Sequence, residues 1–597
     1  MFQLLRRRPL VGGLKGPRAA LTLALAGTIA CAPACQRKAE SRQVPPVATA
    51  PSPTPTPTPS PAPTSSAPSA PLPNAVSTGD AEPAGAGAGL LALPHVTLVA
   101  LSDWAAVLQP CGCTEELQRG GIERIAHWLT AQAQLDAGIA LVHAGSLLVE
   151  AEAPRPDEVA QRTMRQQLFV SLLEGLPVAA LAVSSADLRD GGAPVRAMLA
   201  VAKLPLLAVG WDPGLPSVEP RRIVERAGLK VGLFALDPAA GELPAQQELA
   251  AAQVQALRDE GAALVVALSN LGLRNSRRVA RNVEGLDAIV IGAVPERFEP
   301  VEEADREGAA WMLEAPGHGA AMAVLTLARN GATRTDEGAA EAVDAGAWLP
   351  GAAAELQARI TRLEADLARL RGPDQSVASQ LSLPFWTRQL DDLRARLSRT
   401  RSQASRPLPT GLLGAYRSVA LPWSEPVDPA VAARVRAFSD EVGKRNEAAL
   451  KEPLPAADGQ ARYLGQQVCL GCHAPVADFA AHNPHGHAWA TLEKAGKTRD
   501  LDCVGCHATG WRKPGGSAFG NLATFANVQC ESCHGPGSLH VAASDKTAPI
   551  PGFHRTSTEA TCAGCHTPEH APRFDFGLYR RRLVMPGHGA PLQPTRP

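Results

Sequence analysis

Four times between residues 469 and 566 the chain repeats one five-residue pattern: Cys469-Leu-Gly-Cys472-His473, Cys503-Val-Gly-Cys506-His507, Cys530-Glu-Ser-Cys533-His534 and Cys562-Ala-Gly-Cys565-His566. Two thiols three positions apart on one turn suit addition to the two vinyl groups of a haem, and the adjacent imidazole then ligates the iron from the proximal side. Cys-x-x-Cys alone also makes zinc knuckles and redox dithiols. Zinc sites would leave unexplained a His directly after the second Cys of every copy. With 12 Cys and 15 His in 597 residues, chance does not produce four copies in so short a span. The pattern predicts four covalent c-type haems, bonded through these eight cysteines and ligated by His473, His507, His534 and His566.

Second axial ligands are the next requirement. Outside the motifs the stretch carries His482, His485, His487, His540, His554, His570 and His588, and one methionine, Met585. Seven imidazoles for four irons favour bis-His ligation, which gives lower potentials than His/Met ligation, and leave some of them as bystanders. A compact unit of about 130 residues has a radius of gyration near ~14 Å, so four macrocycles inside it would be neighbours. Large apolar side chains are few here, so the porphyrins would supply most of the core and the apoprotein is not expected to fold. Closely spaced irons make an electron-transfer chain.

The wording around the motifs resembles a known family. Tyr463-Leu-Gly-Gln-Gln-Val-Cys469, Pro484-His-Gly-His487-Ala, Cys506-His507-Ala-Thr-Gly510 and Cys530-Glu-Ser-Cys533-His534-Gly-Pro-Gly-Ser-Leu-His540 are similar, in order and spacing, to the tetrahaem cytochrome c-554 family of periplasmic electron carriers. The resemblance spans about 463–590 and implies distal-ligand roles for His487 and His540. Cys565-His566-Thr-Pro-Glu-His570-Ala-Pro-Arg-Phe-Asp-Phe576 continues it. Where the family often has His before Pro, this chain has Met585-Pro586-Gly587-His588, which leaves the fourth distal ligand between Met585 and His588. The family can also leave one haem five-coordinate, which would be a substrate site.

The rest of the chain has to carry this unit. A formal net charge of zero gives no reason to expect a nucleic-acid partner. Residues 1–30 read as a lipoprotein-type signal: Arg6, Arg7, Arg8, Lys15 and Arg18 precede the apolar run Ala19–Ala30, which is too short to span a membrane, and Cys31 follows Thr28-Ile-Ala30. The expectation is export to the periplasm or outer membrane, a lipid anchor on Cys31, and redox partner proteins that include other cytochromes. Residues 31–91 are rich in Pro, Ala and Thr, centred on Pro51-Ser-Pro-Thr-Pro-Thr-Pro-Thr-Pro59, and read as a disordered, extended spacer.

From 92 to 345 apolar runs alternate with helical periods. Val96–Leu101, Ile139–Val142, Val178–Val183, Leu206–Val209, Val231–Leu236, Ala263–Leu268 and Ala288–Ile291 read as buried strands, and Ile122–Leu135, Thr163–Leu173, Pro194–Val201 and Glu248–Glu260 as helices. This is an α/β layered domain. Its wording resembles the 5′-nucleotidase branch of the metallophosphatases at Val99-Ala-Leu-Ser-Asp103, Gln109-Pro-Cys-Gly-Cys113, Gly120-Gly-Ile-Glu-Arg-Ile125, Leu141-Val-His-Ala-Gly145, Leu181-Ala-Val183, Val266-Ala-Leu-Ser-Asn270-Leu-Gly and Ile289-Val-Ile-Gly292. That family binds two metals through Asp-x-His, a second Asp, Asn-His, a later His and Gly-His-x-His. In those slots this chain has Asp103 with Ala105, His143, Ser185-Ala186, Asn270, and Ala293 with Pro295. Two-metal hydrolysis needs both ions clamped, and only Asp103, His143 and Asp187 remain as possible ligands. The expectation is an inactive scaffold or docking module, with an active phosphoesterase as the rival.

Cys111 and Cys113 read as a strained local disulfide or, alternatively, a redox dithiol or metal site. In 351–405, Leu356, Ile360, Leu363, Leu367 and Leu370, then Trp386, Leu390, Leu393 and Leu397, step in heptad rhythm about Gly372-Pro373, so a two-helix antiparallel hairpin is expected, paired within its own chain or with another. Residues 406–460 read as a connection with a return strand or extended linker and a helix at Ala430–Leu450. Residues 461–597 form the mostly α and irregular tetrahaem unit. The functional expectation is an electron-carrying multihaem cytochrome; the alternative is a haem oxidoreductase that acts on a small nitrogen species at an open iron.

Overall fold

A computed structural model describes residues 89–109, 118–150, 152–189, 192–293, 301–331, 343–370, 377–567, 570–571, 574–586 and 588–590. Residues 1–30, expected from sequence to be a signal, Cys31, nearly all of the Pro-rich stretch, and Cys111 with Cys113 lie outside the described residues.

The α/β part runs β1 (His95–Ser102), α1 (Ile122–Ala133), β2 (Ile139–Ala144), α2 (Val159–Leu173), β3 (Val178–Ala182), α3 (Ala193–Val201), β4 (Leu206–Leu207), β5 (Val218–Glu219), β6 (Arg221–Arg226), β7 (Leu229–Leu236), α4 (Leu243–Asp259), β8 (Leu264–Ser269), α5 (Gly272–Asn282), β9 (Ala288–Ile291), β10 (Arg306–Glu307), β11 (Ala310–Glu314), β12 (Ala321–Asn330) and β13 (Val343–Asp344). The chain continues through α6 (Ala352–Leu370), α7 (Val377–Ala404), β14 (Gly411–Ala420) and α8 (Pro429–Ala449). Two sheets result, in the orders β13-β14-β12-β1-β2-β3-β4-β5 and β10-β11-β9-β8-β7-β6.

Strands this apolar are needed because both faces are covered. Along β1, Val96, Leu98 and Ala100 point into a layer shared with Val231, Leu233, Val266 and Val290 of the other sheet. Val99 and Leu101, one position out of phase, pack under Ile125, Leu129, Phe169 and Leu173 of α1 and α2. Phe234, Ile289 and Ile291 meet α4 and α5 through Val254, Leu257 and Val279. The architecture is therefore four layers, α/β/β/α.

The segment 406–460 does more than connect. Its β14 pairs antiparallel with β12 from Ala321↔Ala420 to Asn330↔Gly411, extending the larger sheet. Val435 of α8 joins the core beside α1 and α2. The hairpin closes on itself within the chain: Ile360 and Leu367 of α6 bury against Leu390, Leu393 and Leu397 of α7, with Leu356, Leu363 and Trp386 at the margins. Among the described residues no helix is long and apolar enough to cross a membrane.

The C-terminal part is built of short helices: α9 (Gln466–Cys472), α10 (Ala477–His482), α11 (Ala488–Ala495), α12 (Leu501–His507), α13 (Leu522–Phe525), α14 (Cys530–His534), α15 (Ser538–Ala542), α16 (Glu559–Ala563) and α17 (Phe576–Leu583), then the short pair β15 (Met585–Pro586) and β16 (Gly589–Ala590). Its apolar core is one small cluster, Leu450, Leu492, Leu501, Val504, Ala508 and Trp511, around α12. The other three Cys-x-x-Cys-His segments lack such a core.

Candidate multihaem site

Each Cys-x-x-Cys falls on a helical turn. α9 holds Cys469 and Cys472, α12 holds Cys503, Cys506 and His507, α14 holds Cys530, Cys533 and His534, and α16 carries Cys562 just ahead of Cys565 and His566. None of these eight sulfurs is in a disulfide.

The turns are fastened by side chains the sequence reading had not singled out. Glu531, buried inside the third motif, accepts hydrogen bonds from the N–H groups of Leu464 (2.9 Å), Gly465 (2.8 Å) and Gly537 (2.7 Å). One carboxylate on α14 thus ties the start of α9 to the start of α15. Gln529 accepts from Gln466 N at 2.8 Å and donates to the carbonyls of Thr524 and Ala526. At Gly510, φ is +65° and a Cβ would stand 2.8 Å from the Tyr463 ring, so only glycine fits there. That contact joins two of the segments on which the family resemblance rests.

The histidine rings fall into pairs. The centroids of His473 and His540 lie 6.4 Å apart, those of His534 and His588 6.3 Å, and those of His485 and His566 6.1 Å. A metal–imidazole bond of about 2 Å, with each centroid roughly 1.2 Å behind its ligating nitrogen, puts two imidazoles trans on one ion at roughly 6.4 Å. Direct stacking would be closer, as for Phe553 on His540 (4.7 Å), Phe479 on His588 (4.5 Å) and Phe574 on His566 (5.0 Å). The three His–His separations are compatible with two imidazoles sharing one ion, and Phe553, Phe479 and Phe574 stack on His540, His588 and His566.

Tautomers point the same way. A carbonyl only accepts, so Nδ1–H of His507 donates to Ala488 O (2.6 Å), that of His534 to His554 O (2.7 Å) and that of His588 to Leu583 O (2.6 Å), each leaving Nε2 as the ligating lone pair. Burial lowers the pKa of His485, assisted by the neighbouring His566, and burial also lowers those of His566, His507 and His540. These rings are thus biased toward the neutral form that a metal requires.

His540 and His588, expected from sequence, stand opposite motif histidines. His487 does not: its Nε2–H donates to Ala481 O at 2.8 Å, and His485 occupies the place beside His566. Among the described residues His507 forms no such ring pair, and the charge of His570 adds to burial in lowering its pKa. Of Met585 only the backbone is described, in β15.

Contacts between motifs give their order. The thiols of Cys469 and Cys530 are hydrogen-bonded neighbours, Cys533 lies beside Cys562, and Cys565 bonds to Cys506, whose Sγ also lies 3.9 Å from Gly564 O. The attachment turns form a line, first to third to fourth to second. Within the Cys469–Cys530 contact the hydrogen bond from Cys469 pulls the Cys530 thiol down to about 7, and the Cys469 thiol is pushed up. Burial, with Asp500 beside it, pushes the Cys503 thiol well above its ordinary range.

In the α/β domain the side chains that the sequence offered as possible metal ligands are satisfied from within. Asp103, at φ +44°, accepts from Ser146 N (2.9 Å) and Ala293 N (3.2 Å). Asp187 accepts from the N–H groups of Leu147, Leu148 and Val149, and burial, the nearby Asp103 adding to it, raises its pKa to about 6. The buried His143 accepts from Trp104 N at 3.3 Å through Nε2, and burial lowers its pKa to about 3. Asn270 accepts from Gly145 N and donates to Val183 O and Asp237. Among the described residues no group of three or more His, Cys, Asp or Glu side chains is placed to hold a metal ion.

The C-terminal part resembles multihaem c-type cytochromes, as comparison with known proteins finds. Residues 468–535, which include the first three motifs, match the family described as "Cytochrome c554 and c-prime". Cytochrome c-554 of Nitrosomonas europaea is 34% identical over 93 residues, which cover 13% of this chain and 40% of that protein. The chain therefore spans about two fifths of the length of this curated relative. Solved structures similar to the chain include a 5′-nucleotidase precursor from Thermus thermophilus (18% identity, 61% of each chain, TM-score 0.38) and the sulfate thiohydrolase SoxB of Thermus thermophilus in complex with glycerol (13% identity, 60% of this chain and 62% of that one, TM-score 0.36). The layered sheets resemble those of metallophosphatases, and at such overlaps the likeness carries no functional weight.

Proposed function

We propose that this protein is an exported electron carrier holding four covalent haems c, one on each Cys-x-x-Cys-His turn. The observation that carries the reading is the set of three His–His gaps of 6.1–6.4 Å, each with one member from a motif. Haem c supplies a reversible one-electron iron couple whose potential follows axial ligation, nearby charge and burial. The residues do the rest. His540, His588 and His485 would supply the second imidazole to haems held by His473, His534 and His566. The line of contacting attachment turns orders the centres for conduction from the first motif through the third and fourth to the second. Electrons enter and leave by way of redox partner proteins, other cytochromes among them. Residues 1–30 direct export to the periplasm or outer membrane, and Cys31 carries the lipid anchor.

The test is a pyridine haemochrome assay with intact mass on protein from a host that matures c-type cytochromes. Four haems per chain are expected, and a mass equal to the amino acids alone overturns the proposal.

A second reading rests on His507. Its proximal-type hydrogen bond to Ala488 and the lack of such a ring pair among the described residues suit an iron with an open side, at which a small nitrogen species could be reduced. Electron paramagnetic resonance decides: a high-spin fraction that binds nitrite, hydroxylamine or nitric oxide supports an enzyme, and wholly low-spin iron supports a carrier alone.

A further inference from the structure

The second attachment helix is held by the α/β domain. Asp500 caps α12, accepting from Asp502 N at 3.1 Å, and its Oδ1 also accepts from Gln161 Nε2 at 2.6 Å. The carbonyl oxygen of that Gln161 side chain accepts from Leu501 N at 3.1 Å and from Asn446 Nδ2 at 2.7 Å. One turn along α2, Arg165 donates through Nη1 to Asp502 (2.5 Å) and through Nη2 to Glu150 (2.6 Å). Gln161 and Arg165 are spaced i, i+4, so they share one helix face. That face is sealed: Gln161 is 3% and Arg165 9% exposed.

A guanidinium this buried is retained only when paired, and removing it strands its partners. Those partners differ in kind. Glu150 belongs to the loop after β2, whereas Asp502 immediately precedes Cys503. The α/β domain thus places one compensating cation against a carboxylate at the root of the turn that ends in His507.

We infer that Arg165 and Gln161 are positioning residues for the centre at Cys503, Cys506 and His507, and that Arg165 sets its potential by neutralising Asp502. This rests on the proposal above that a haem occupies that turn. Uncompensated negative charge beside an iron favours its oxidised, more positive state, so loss of Arg165 lowers that couple. Loss of the Asp502 charge raises it. Gln161 is neutral and governs docking alone.

The test uses full-length holoprotein carrying Arg165→Met, Asp502→Asn or Gln161→Leu, with intact mass, potentiometric titration followed by absorbance and paramagnetic resonance, and limited proteolysis. One couple is expected to move down in R165M and up in D502N, each by roughly tenfold in the oxidised-to-reduced ratio at fixed potential, about 59 mV for one electron. The other couples stay in place. Q161L is expected to leave every potential in place and to speed cleavage after α8. Purely structural support would move R165M and D502N in the same direction; that outcome, or no shift in either, overturns the inference. Should R165M fail to accumulate, D502N decides alone, since anything but a rise counts against it. A mass without haem in the parent protein refutes the underlying proposal instead, and is read separately.

Discussion

His485 and His566 face each other with ring centroids 6.1 Å apart, although they are separated by 81 positions. His487, only two residues on, turns its Nε2 to Ala481 O instead. The two histidines should therefore respond differently to substitution. His485→Ala is expected to convert one low-spin iron to a high-spin form that binds carbon monoxide after reduction. His487→Ala is expected to leave the spectrum of every centre in place. Paramagnetic resonance and carbon monoxide difference spectra on both variants check this, and the opposite assignment would return the distal role to His487.

How far the sequence reaches is visible in this pair. The proposed proximal ligands are local, since each His follows its own Cys-x-x-Cys, and a local pattern is enough to propose them. A distal ligand is defined by what faces it across the fold, and nothing in Pro484-His485-Gly486-His487 distinguishes two imidazoles on one short turn. Ala288–Ile291 and the helix at Pro194–Val201 were legible because apolar period alone specifies them. The pairing of β14 with β12 was not, because the whole α6–α7 hairpin separates the two strands. Nor could Arg165 and Asp502, 337 positions apart, be matched by any local rule. In the α/β domain the sequence showed that imidazoles were missing from the ligand slots; only the fold shows that Asn270 and Asp187 have become hydrogen-bonding hubs.

Glu531 offers a second test. Its buried carboxylate takes three backbone N–H groups from two attachment segments. Glu531→Gln keeps the shape, removes the charge and exchanges an acceptor oxygen for a donor nitrogen that faces N–H groups. Charge-assisted hydrogen bonds to a buried acceptor are costly to lose, so about 2–4 kcal/mol of stability should go. Denaturant unfolding of the holoprotein, followed through the haem absorption band, measures it. A loss below about 0.5 kcal/mol would place Glu531 among ordinary surface substitutions.

The pH dependence of the α/β domain should carry the mark of His95 and Asp136. His95 donates through Nε2–H to Asp136 Oδ1 (2.7 Å) and through Nδ1–H to Leu93 O (2.7 Å), so the ring is held as imidazolium. Desolvation opposes this, yet the hydrogen bonds and charge of Asp136 prevail and His95 is raised above 6.5; Asp136, bonded to His95, Thr97 and Gly138, is lowered below 3.8 despite its own burial. A raised histidine contributes fully below 6.5 and loses its contribution as pH climbs through its folded value. A lowered aspartate contributes fully above 3.8 and loses its contribution as pH falls through its folded value. The pair should therefore stabilise most between about pH 4 and 6.5. His95→Gln should remove the alkaline limb and cost about 3 kcal/mol within that window. Calorimetric scans of the α/β transition across pH would show it, and an unchanged alkaline limb in the variant would sink the assignment.

The last prediction concerns hydrolysis. A two-metal phosphoesterase must hold both ions to make hydroxide and to stabilise the leaving oxygen. Here Asn270 stands where the family that the sequence resembles places an imidazole, and its amide is fully engaged with Gly145, Val183 and Asp237. Freeing it would cost three buried hydrogen bonds, and Ala105 and Ala186 offer no replacement ligands. Added Mn²⁺ or Mg²⁺ is therefore expected to release no phosphate from nucleotides above the blank rate. It should also leave the α/β melting transition where it is, since an ion bound to the folded state at 100 times its Kd would add about 2.7 kcal/mol. The two readouts are independent. Stabilisation without turnover would identify a residual metal site at Asp103 and His143, whereas turnover would restore the rival assignment of this domain as an active hydrolase.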